Sequence, residues 1–283
     1  MAFNIKLTYK GTKDADTPLV PVEVLLGDDF RYERDDTTIT LFNPRQIARG
    51  ISVTLEDESV TLSLKMPTSA TEVKSFFALI DRVAAHISPD FELVADGSEM
   101  TLDECLATEN EMLEFNRKSL RYVCDNVSAT ESVSRIDCVY LDLSLGQNEA
   151  SLFCPDDDCT EVDLFAGFMH DRQRIDATYT EANYYIDHSA EGGVFGAVLV
   201  PEATNLIFPN SEAPLRALLG DGADKVTLYK VALFSQTEDK ILGDLPLATF
   251  LELVPPARVS YFDAEHILIS ALSVQMLKDI LDV

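Results

Sequence analysis

Apolar and polar residues alternate with a period of two along much of the first 64 residues, which is the pattern of half-buried β-strands. The loop Glu56-Asp57-Glu58-Ser59 separates two of these runs by four polar residues, so that pair is predicted to form a β-hairpin. The runs are residues 3–9, 38–42, 51–55 and 60–64.

The pattern then changes to helical spacing. Apolar residues recur every three or four positions over 70–87, which predicts a helix that covers a sheet. Ser69 and Glu72 have the spacing of a capping box at its start. A second helix is predicted over 102–124, with Thr101 and Glu104 in the same relation.

Residues from Arg135 onward return to short strand-like runs with a few helices. Strands interrupted by isolated helices, without regular β-α-β units, predict an α+β fold with mainly antiparallel sheets. The polar stretch 125–134 predicts a boundary between two moderate domains, 1–127 and 128–283. The predicted strands are 136–145, 150–154, 159–165, 177–179, 184–187, 195–200, 226–234, 258–262 and 267–271, and the helices are 212–219 and 274–281, the latter capped by Ser273.

Three sequence segments carry a family resemblance: I-A-R-G-I-S-V-T-L-E-D from Ile47, L-K-M-P-T-S-A-T-E-V-K-S-F-F-A-L-I from Leu64, and D-G-S-E-M-T-L-D-E from Asp96. In these segments the chain resembles domain of unknown function 4299, most strongly between Asn43 and Thr108. The resemblance implies a bacterial cytoplasmic setting. It brings no activity and no functional residues, because the family has none assigned.

The net charge of the chain indicates which kinds of molecule it can bind. The chain has 49 Asp and Glu against 22 Lys and Arg, a net charge of −27, and residues 136–171 hold nine acids and no Lys or Arg. Such a surface repels nucleic-acid phosphates and anionic lipids and attracts basic proteins. Acidity that serves only solubility, or adaptation to a salty cytoplasm, is an alternative that the sequence leaves open.

The location follows from what the sequence lacks. Its beginning has no basic segment followed by an apolar signal core, and no apolar run approaches the roughly twenty residues of a membrane span. Five cysteines form an odd and sparse set, which is typical of reduced thiols. We therefore expect a cytoplasmic protein without a membrane segment.

The stretch F-C-P-D-D-D-C-T-E, from Phe153, is the main candidate for chemistry. Structural zinc needs four ligands, and this stretch offers only one cysteine pair, which Cys138, His170 or His188 would have to complete. A hairpin turn over 155–158 flanked by Cys154 and Cys159 is the preferred interpretation, because Pro and Asp favour turns. The run also lacks the glycine of a calcium loop. The predicted partner-binding residues are Asp156, Asp157, Asp158, Glu161 and Asp163, and the alternative metal ligands are Cys154, Cys159 and His170.

Catalytic and phosphate-binding motifs are not recognisable in the sequence. It has no G-x-S-x-G elbow, and the glycines at 192, 193 and 196 are not followed by Lys-Ser/Thr. The predicted function is therefore a non-enzymatic protein without cofactor that binds a basic protein through an acidic surface, in an immunity-like or nucleic-acid-mimicking role. The alternative is an enzyme or metal-binding protein whose site is assembled from distant strands.

Overall fold

The computed structural model confirms the α+β class, with helices and mainly antiparallel sheets. Contacts divide the chain into two compact units, Met1–Arg174 and Ile175–Val283, which are described separately. The boundary predicted from the sequence, at 127–128, instead falls inside a helix of the first unit. The structure describes residues 1–11, 19–35, 38–87, 91–156, 158–174, 178–187, 194–219, 223 and 226–282.

The first unit is built on a seven-stranded antiparallel sheet with the strand order β2-β3-β4-β5-β1-β6-β7. The predicted hairpin of β4 and β5 is confirmed, with Ile51 opposite Leu64. The strands are β1 (Ala2–Tyr9), β2 (Arg31–Asp35), β3 (Thr38–Phe42), β4 (Ile51–Leu55), β5 (Ser59–Lys65), β6 (Phe91–Ala95) and β7 (Ser98–Met100), and a separate pair is β8 (Ser134–Ile136) with β9 (Leu143–Leu145).

Helices cover one face of this sheet. The predicted helix over 70–87 is confirmed, and its apolar face joins the inward side chains of β1, β3, β4, β5 and β6 in one buried core. Burial of that apolar surface is the main source of stability in such a layer. The helices are α1 (Val22–Leu26), α2 (Ala70–Ile87), α3 (Leu102–Ala107), α4 (Glu109–Thr130), α5 (Gln147–Phe153) and α6 (Val162–Gln173).

The predicted capping box of α2 is only half formed. The Ser69 hydroxyl accepts a hydrogen bond from the Glu72 N–H at 3.0 Å, as expected. The Glu72 carboxylate, however, accepts from the N–H groups of Gly50 at 2.8 Å and Arg49 at 3.2 Å, and from the Thr68 hydroxyl. Burial raises the pKa of Glu72. This carboxylate therefore ties the loop before β4 to the start of α2, a long-range role that local spacing does not reveal.

Three predictions in the first unit are wrong. Residues 150–154 and 159–165 are not strands of a hairpin, because 150–153 belong to α5 and 162–165 belong to α6. Residues 136–145 are not one strand, since β8 and β9 occupy only their ends and pair with each other. The helix predicted over 102–124 is broken into α3 and α4. Short apolar runs are compatible with the period of a strand and with that of a helix, so contacts with the rest of the fold decide which one forms. Here the rings of Phe153 and Phe165 pack edge to face, with their centroids 5.4 Å apart.

In its described residues, the second unit contains two four-stranded sheets, in the orders β11-β12-β14-β15 and β10-β13-β17-β16, each with one parallel pair. Their buried side chains share one core with three helices. Ser273 caps the last helix as predicted, accepting from the Met276 N–H at 3.3 Å. The strands are β10 (Tyr179–Glu181), β11 (Tyr184–Asp187), β12 (Val194–Pro201), β13 (Asn205–Pro209), β14 (Val226–Ser235), β15 (Lys240–Pro246), β16 (Val259–Tyr261) and β17 (His266–Ile269), and the helices are α7 (Ala213–Leu219), α8 (Leu247–Leu253) and α9 (Val274–Leu281).

The lengths and apolar content of the helices bear on membrane insertion. Among the helices in the described part of the chain, none combines the length and the apolar character required to cross a membrane.

Candidate functional site

The β6–β7 hairpin forms one side of a groove in the first unit. Its two-residue turn is Asp96-Gly97, and both residues have positive φ, 44° and 85°. Asp-Gly is favoured in this turn because Gly adopts the left-handed region without steric cost and Asp tolerates it. The Asp96 carboxylate accepts the Asn4 N–H at 2.9 Å, and the Asp96 N–H donates to the Asn4 carbonyl at 2.9 Å. The turn is thereby fixed to β1.

Helix α4 forms the other side. Thr108 lies between α3 and α4, and both its backbone N–H, at 3.1 Å, and its hydroxyl, at 2.7 Å, donate to the Cys105 carbonyl. Farther along α4, the side chain of Asn116 accepts the Thr68 N–H at 2.7 Å and donates to the Thr68 carbonyl at 2.9 Å. Asn116 is 1% exposed. These two bonds fix the helix at a set distance from the turn before α2.

The groove between hairpin and helix has a volume of about 750 Å³. Apolar side chains at the border of the core form its floor, and Phe115 remains 40% exposed. Methionine suits such a surface, because its flexible thioether adapts to partners of different shape. The apolar lining consists of Phe3, Ala95, Met100, Met112 and Phe115.

Acidic side chains surround this apolar floor. Asp96, Glu111 and Glu114 line the groove, and Lys118 is the only base among its described lining residues. Glu114 contacts Arg117 at 2.9 Å and Lys118 at 3.8 Å. Its hydrogen bond to Arg117 lowers the pKa of Glu114. Glu111 is exposed and, within the described residues, forms no ion pair.

A second hollow of about 560 Å³ borders the same hairpin and shares Met100 with the groove. It contains Glu92, Glu99 and Glu104. A hydrogen bond from Lys10 lowers the pKa of Glu92, and the backbone N–H of Thr101 lowers the pKa of Glu104. Both carboxylates are therefore ionised at neutral pH; Glu92 of β6 is paired with Lys10, and Glu104 lies in α3 beside the hairpin.

The predicted acidic turn has a different geometry. The Asp156 carboxylate accepts the N–H groups of Asp158 at 3.1 Å and Cys159 at 2.8 Å, so it stabilises its own turn. Arg121 of α4 donates to the Asp156 carbonyl at 2.6 Å and to the Cys159 carbonyl. Asp158 is exposed. This turn joins α5 to α6, and the Arg121 guanidinium lies against the backbone carbonyls of the turn.

The remaining predicted residues lie around that turn. Asp163 is exposed in the first turn of α6, and Glu161 is half-buried. Asp157 and the alternative ligand His188 lie outside the described residues. Whether these acids bind a partner stays a prediction.

The alternative metal ligands are engaged in protein contacts. The Cys159 thiol donates to the Glu161 carboxylate at 2.9 Å, which raises the pKa of Cys159. His170 Nδ1 accepts the Ile47 N–H at 2.9 Å. In the described residues, no group of three or more His, Cys, Asp and Glu side chains is placed to hold a metal ion.

The family model described as "Domain of unknown function (DUF4299)" matches residues 19–280. The chain belongs to this family. The match extends the resemblance seen around 43–108 over nearly the whole DUF4299 chain, across both units. Neither the curated proteins nor the solved structures contain a match.

The groove of this DUF4299 protein was not predicted, although the sequence contains a signal for it. Between Arg82 and Arg117 there are nine Asp and Glu and no Lys or Arg, as in 136–171. Overall acidity does not distinguish the units, because the first has 33 acids and 16 bases and the second 16 and 6. The base-free segment 83–116, however, supplies most of the groove lining. Only the fold shows that its acids surround an apolar floor.

Proposed function

We propose that this DUF4299 protein is a non-enzymatic cytoplasmic protein that binds a basic segment of a partner protein in the acidic groove. The observation that carries the proposal is the combination of a mostly half-buried apolar floor, on which Phe115 is exposed, with a carboxylate rim. A hydrophobic groove is a recurring docking site for the apolar face of a partner helix. Acidic residues around it favour a partner that presents apolar anchors flanked by Lys or Arg.

The expected strength of the charge effect can be worked out. Two unit charges about 6 Å apart in water interact by about 0.7 kcal/mol. Replacing Glu111 by lysine changes its charge by two units, so it costs a basic ligand about 1.4 kcal/mol, or a factor of about ten in affinity. This effect is screened at high salt. Loss of apolar contact at Phe115 weakens binding at every salt concentration.

The test uses two labelled synthetic helical peptides with the same leucine positions, one with lysine and one with glutamate at the polar positions. Fluorescence anisotropy measures their binding to the full chain at low and moderate salt. We expect the lysine peptide alone to bind. Glu111→Lys should weaken it about tenfold at low salt. Phe115→Ala should weaken it without changing the salt dependence.

Asp163→Lys is the matched control, because it makes the same charge change at an exposed helical site beside the predicted acidic turn. We expect the affinity of this variant for the lysine peptide to stay within about twofold of wild type, since the charge interaction weakens with distance and screening. Equal losses in both charge variants would show unspecific attraction by the net charge and overturn the proposal. A loss confined to Asp163→Lys would assign binding to the turn instead.

The alternative function, an enzyme or metal-binding protein, has a separate test. Elemental analysis of untagged protein, purified without chelator, measures bound zinc directly. About one zinc per chain would contradict the proposal, because a structural site needs a dedicated set of ligands.

A further inference from the structure

Strands β12 and β14, the parallel pair at the centre of one sheet of the second unit, are apolar on both faces. The side chains on one face, among them Val198, Val231 and Leu233, lie in the buried core of that unit together with side chains of its helices. Strands that are apolar at nearly every position are typical of sheets covered on both faces. The face opposite the core therefore has the composition of a covered surface.

That opposite face, named here the outer face, consists of every second residue of 195–199 and of 230–234, flanked by Tyr185, Ile241 and Asp244. Among the described residues, its apolar side chains belong to neither buried core. At its border Tyr185 is 53% exposed and Ile241 is 61% exposed. Because its middle holds only the small side chains of alanines, the outer face contains a hollow of about 410 Å³. A large apolar surface is thus left open to a partner.

The outer face carries no net charge. The Lys230 ammonium lies 3.3 Å from the Asp244 carboxylate and 4.3 Å from the centre of the Phe195 ring. Lys230 and Asp244 are the charged members among the described residues that line the hollow. The whole chain has a net charge of −27, so most of its surface repels a second copy of the same chain. This local repulsion is absent at the outer face.

We propose that the outer face is the contact surface of a two-fold symmetric homodimer. In such an interface both copies present the same surface, so the surface must be complementary to itself. One acid and one base meet this requirement, since the base of one copy attracts the acid of the other. A basic partner gains no net attraction here, and the acidic groove suits it better. Sheets also pack face to face, with their apolar side chains interdigitated.

The size of the outer face indicates how strong this dimer is. A residue in a sheet occupies about 16 Å², given a rise of about 3.3 Å and a strand spacing of about 4.8 Å. The sheet has roughly 30 residues, so two copies together cover about 1,000 Å². Specific interfaces of this small size are weak. We therefore expect a dissociation constant in the micromolar range.

The test is the mass of the purified full chain, measured by size-exclusion chromatography with light scattering between about 1 and about 100 μM. We expect the mass to rise from that of one chain towards that of two. Ile241→Glu should keep the chain monomeric, because it adds a charge inside the contact, and its exposed position lets the fold tolerate the change. Leu152→Glu, at a 54% exposed position of α5, is the matched control and should dimerise like the wild type.

Two charge variants test the complementarity of the two copies. Lys230→Asp gives an outer face with two acids, and Asp244→Lys gives one with two bases. Each variant alone should be monomeric, since its like charges meet across the two-fold axis. An equal mixture of the two should form a heterodimer, which would also show that both variants are folded.

Three results would overturn the proposal. The first is a wild-type chain that stays monomeric at about 100 μM. The second is an equal loss of dimer in Ile241→Glu and Leu152→Glu, which would place the contact elsewhere. The third is a mixture of the two charge variants that stays monomeric.

Discussion

Asn116 is expected to be one of the most important single side chains for the stability of the first unit. Its amide makes two hydrogen bonds to the backbone of Thr68, at 2.7 and 2.9 Å, and both residues are at most 1% exposed. Asn116→Ala removes both bonds, so the buried N–H and the buried carbonyl of Thr68 each lose a hydrogen-bond partner. Each such group costs about 1 to 3 kcal/mol, so we expect a loss of about 3 to 4 kcal/mol in the free energy of unfolding.

Hydrogen–deuterium exchange with mass spectrometry is the appropriate assay, because it reports on peptides of each unit separately. A loss of about 3 kcal/mol lowers protection of the slowest α2 and α4 amides by about two orders of magnitude. Asn126→Ala, an exposed position on the same helix, is the control and should change little. A tenfold or smaller loss in Asn116→Ala would refute the reasoning, since it would show that water replaces both bonds.

The remaining predictions concern backbone conformation and pH. Gly50→Ala should destabilise the first unit by about 2 to 3 kcal/mol, because Gly50 has φ +78° and a Cβ would collide with the side chain of Thr40. Gly167→Ala, on α6 with open space around its Cβ, should stabilise the first unit by about 0.5 to 1 kcal/mol. Thermal unfolding should therefore show shifts of the melting temperature in opposite directions for the two glycine variants. In the second unit, hydrogen bonds from Lys240 and Lys278 lower the pKa of Glu238 to about 2, so its contribution is present above about pH 4.5 and is lost as the pH falls towards 2. Glu238→Gln should flatten the pH dependence of unfolding in that window, and an unchanged slope would contradict the ion pairs.

How far the sequence predicts the fold depends on the length of each periodic run. Helix α2 was predicted at its exact limits, because eighteen residues give several repeats of the helical period. Runs of five to seven residues are ambiguous: 150–153 and 162–165 lie in helices, which pack through the rings of Phe153 and Phe165. The second role of Glu72 was invisible for another reason. Its partners Arg49 and Gly50 are over twenty residues away, and no local pattern encodes that contact.

The comparison of the two acidic segments shows why charge density alone is a poor guide to a binding surface. In the α5–α6 turn the Asp156 carboxylate accepts hydrogen bonds from the backbone of the same turn, and Arg121 adds a positive charge there. In the groove, Glu111 is exposed beside Phe115, so charge and apolar area are available to the same ligand. Affinity in proteins comes mainly from desolvated apolar anchors, whereas charges adjust orientation and association rate. Charge alone therefore attracts basic proteins without retaining one, and the groove offers charge together with apolar area at one place.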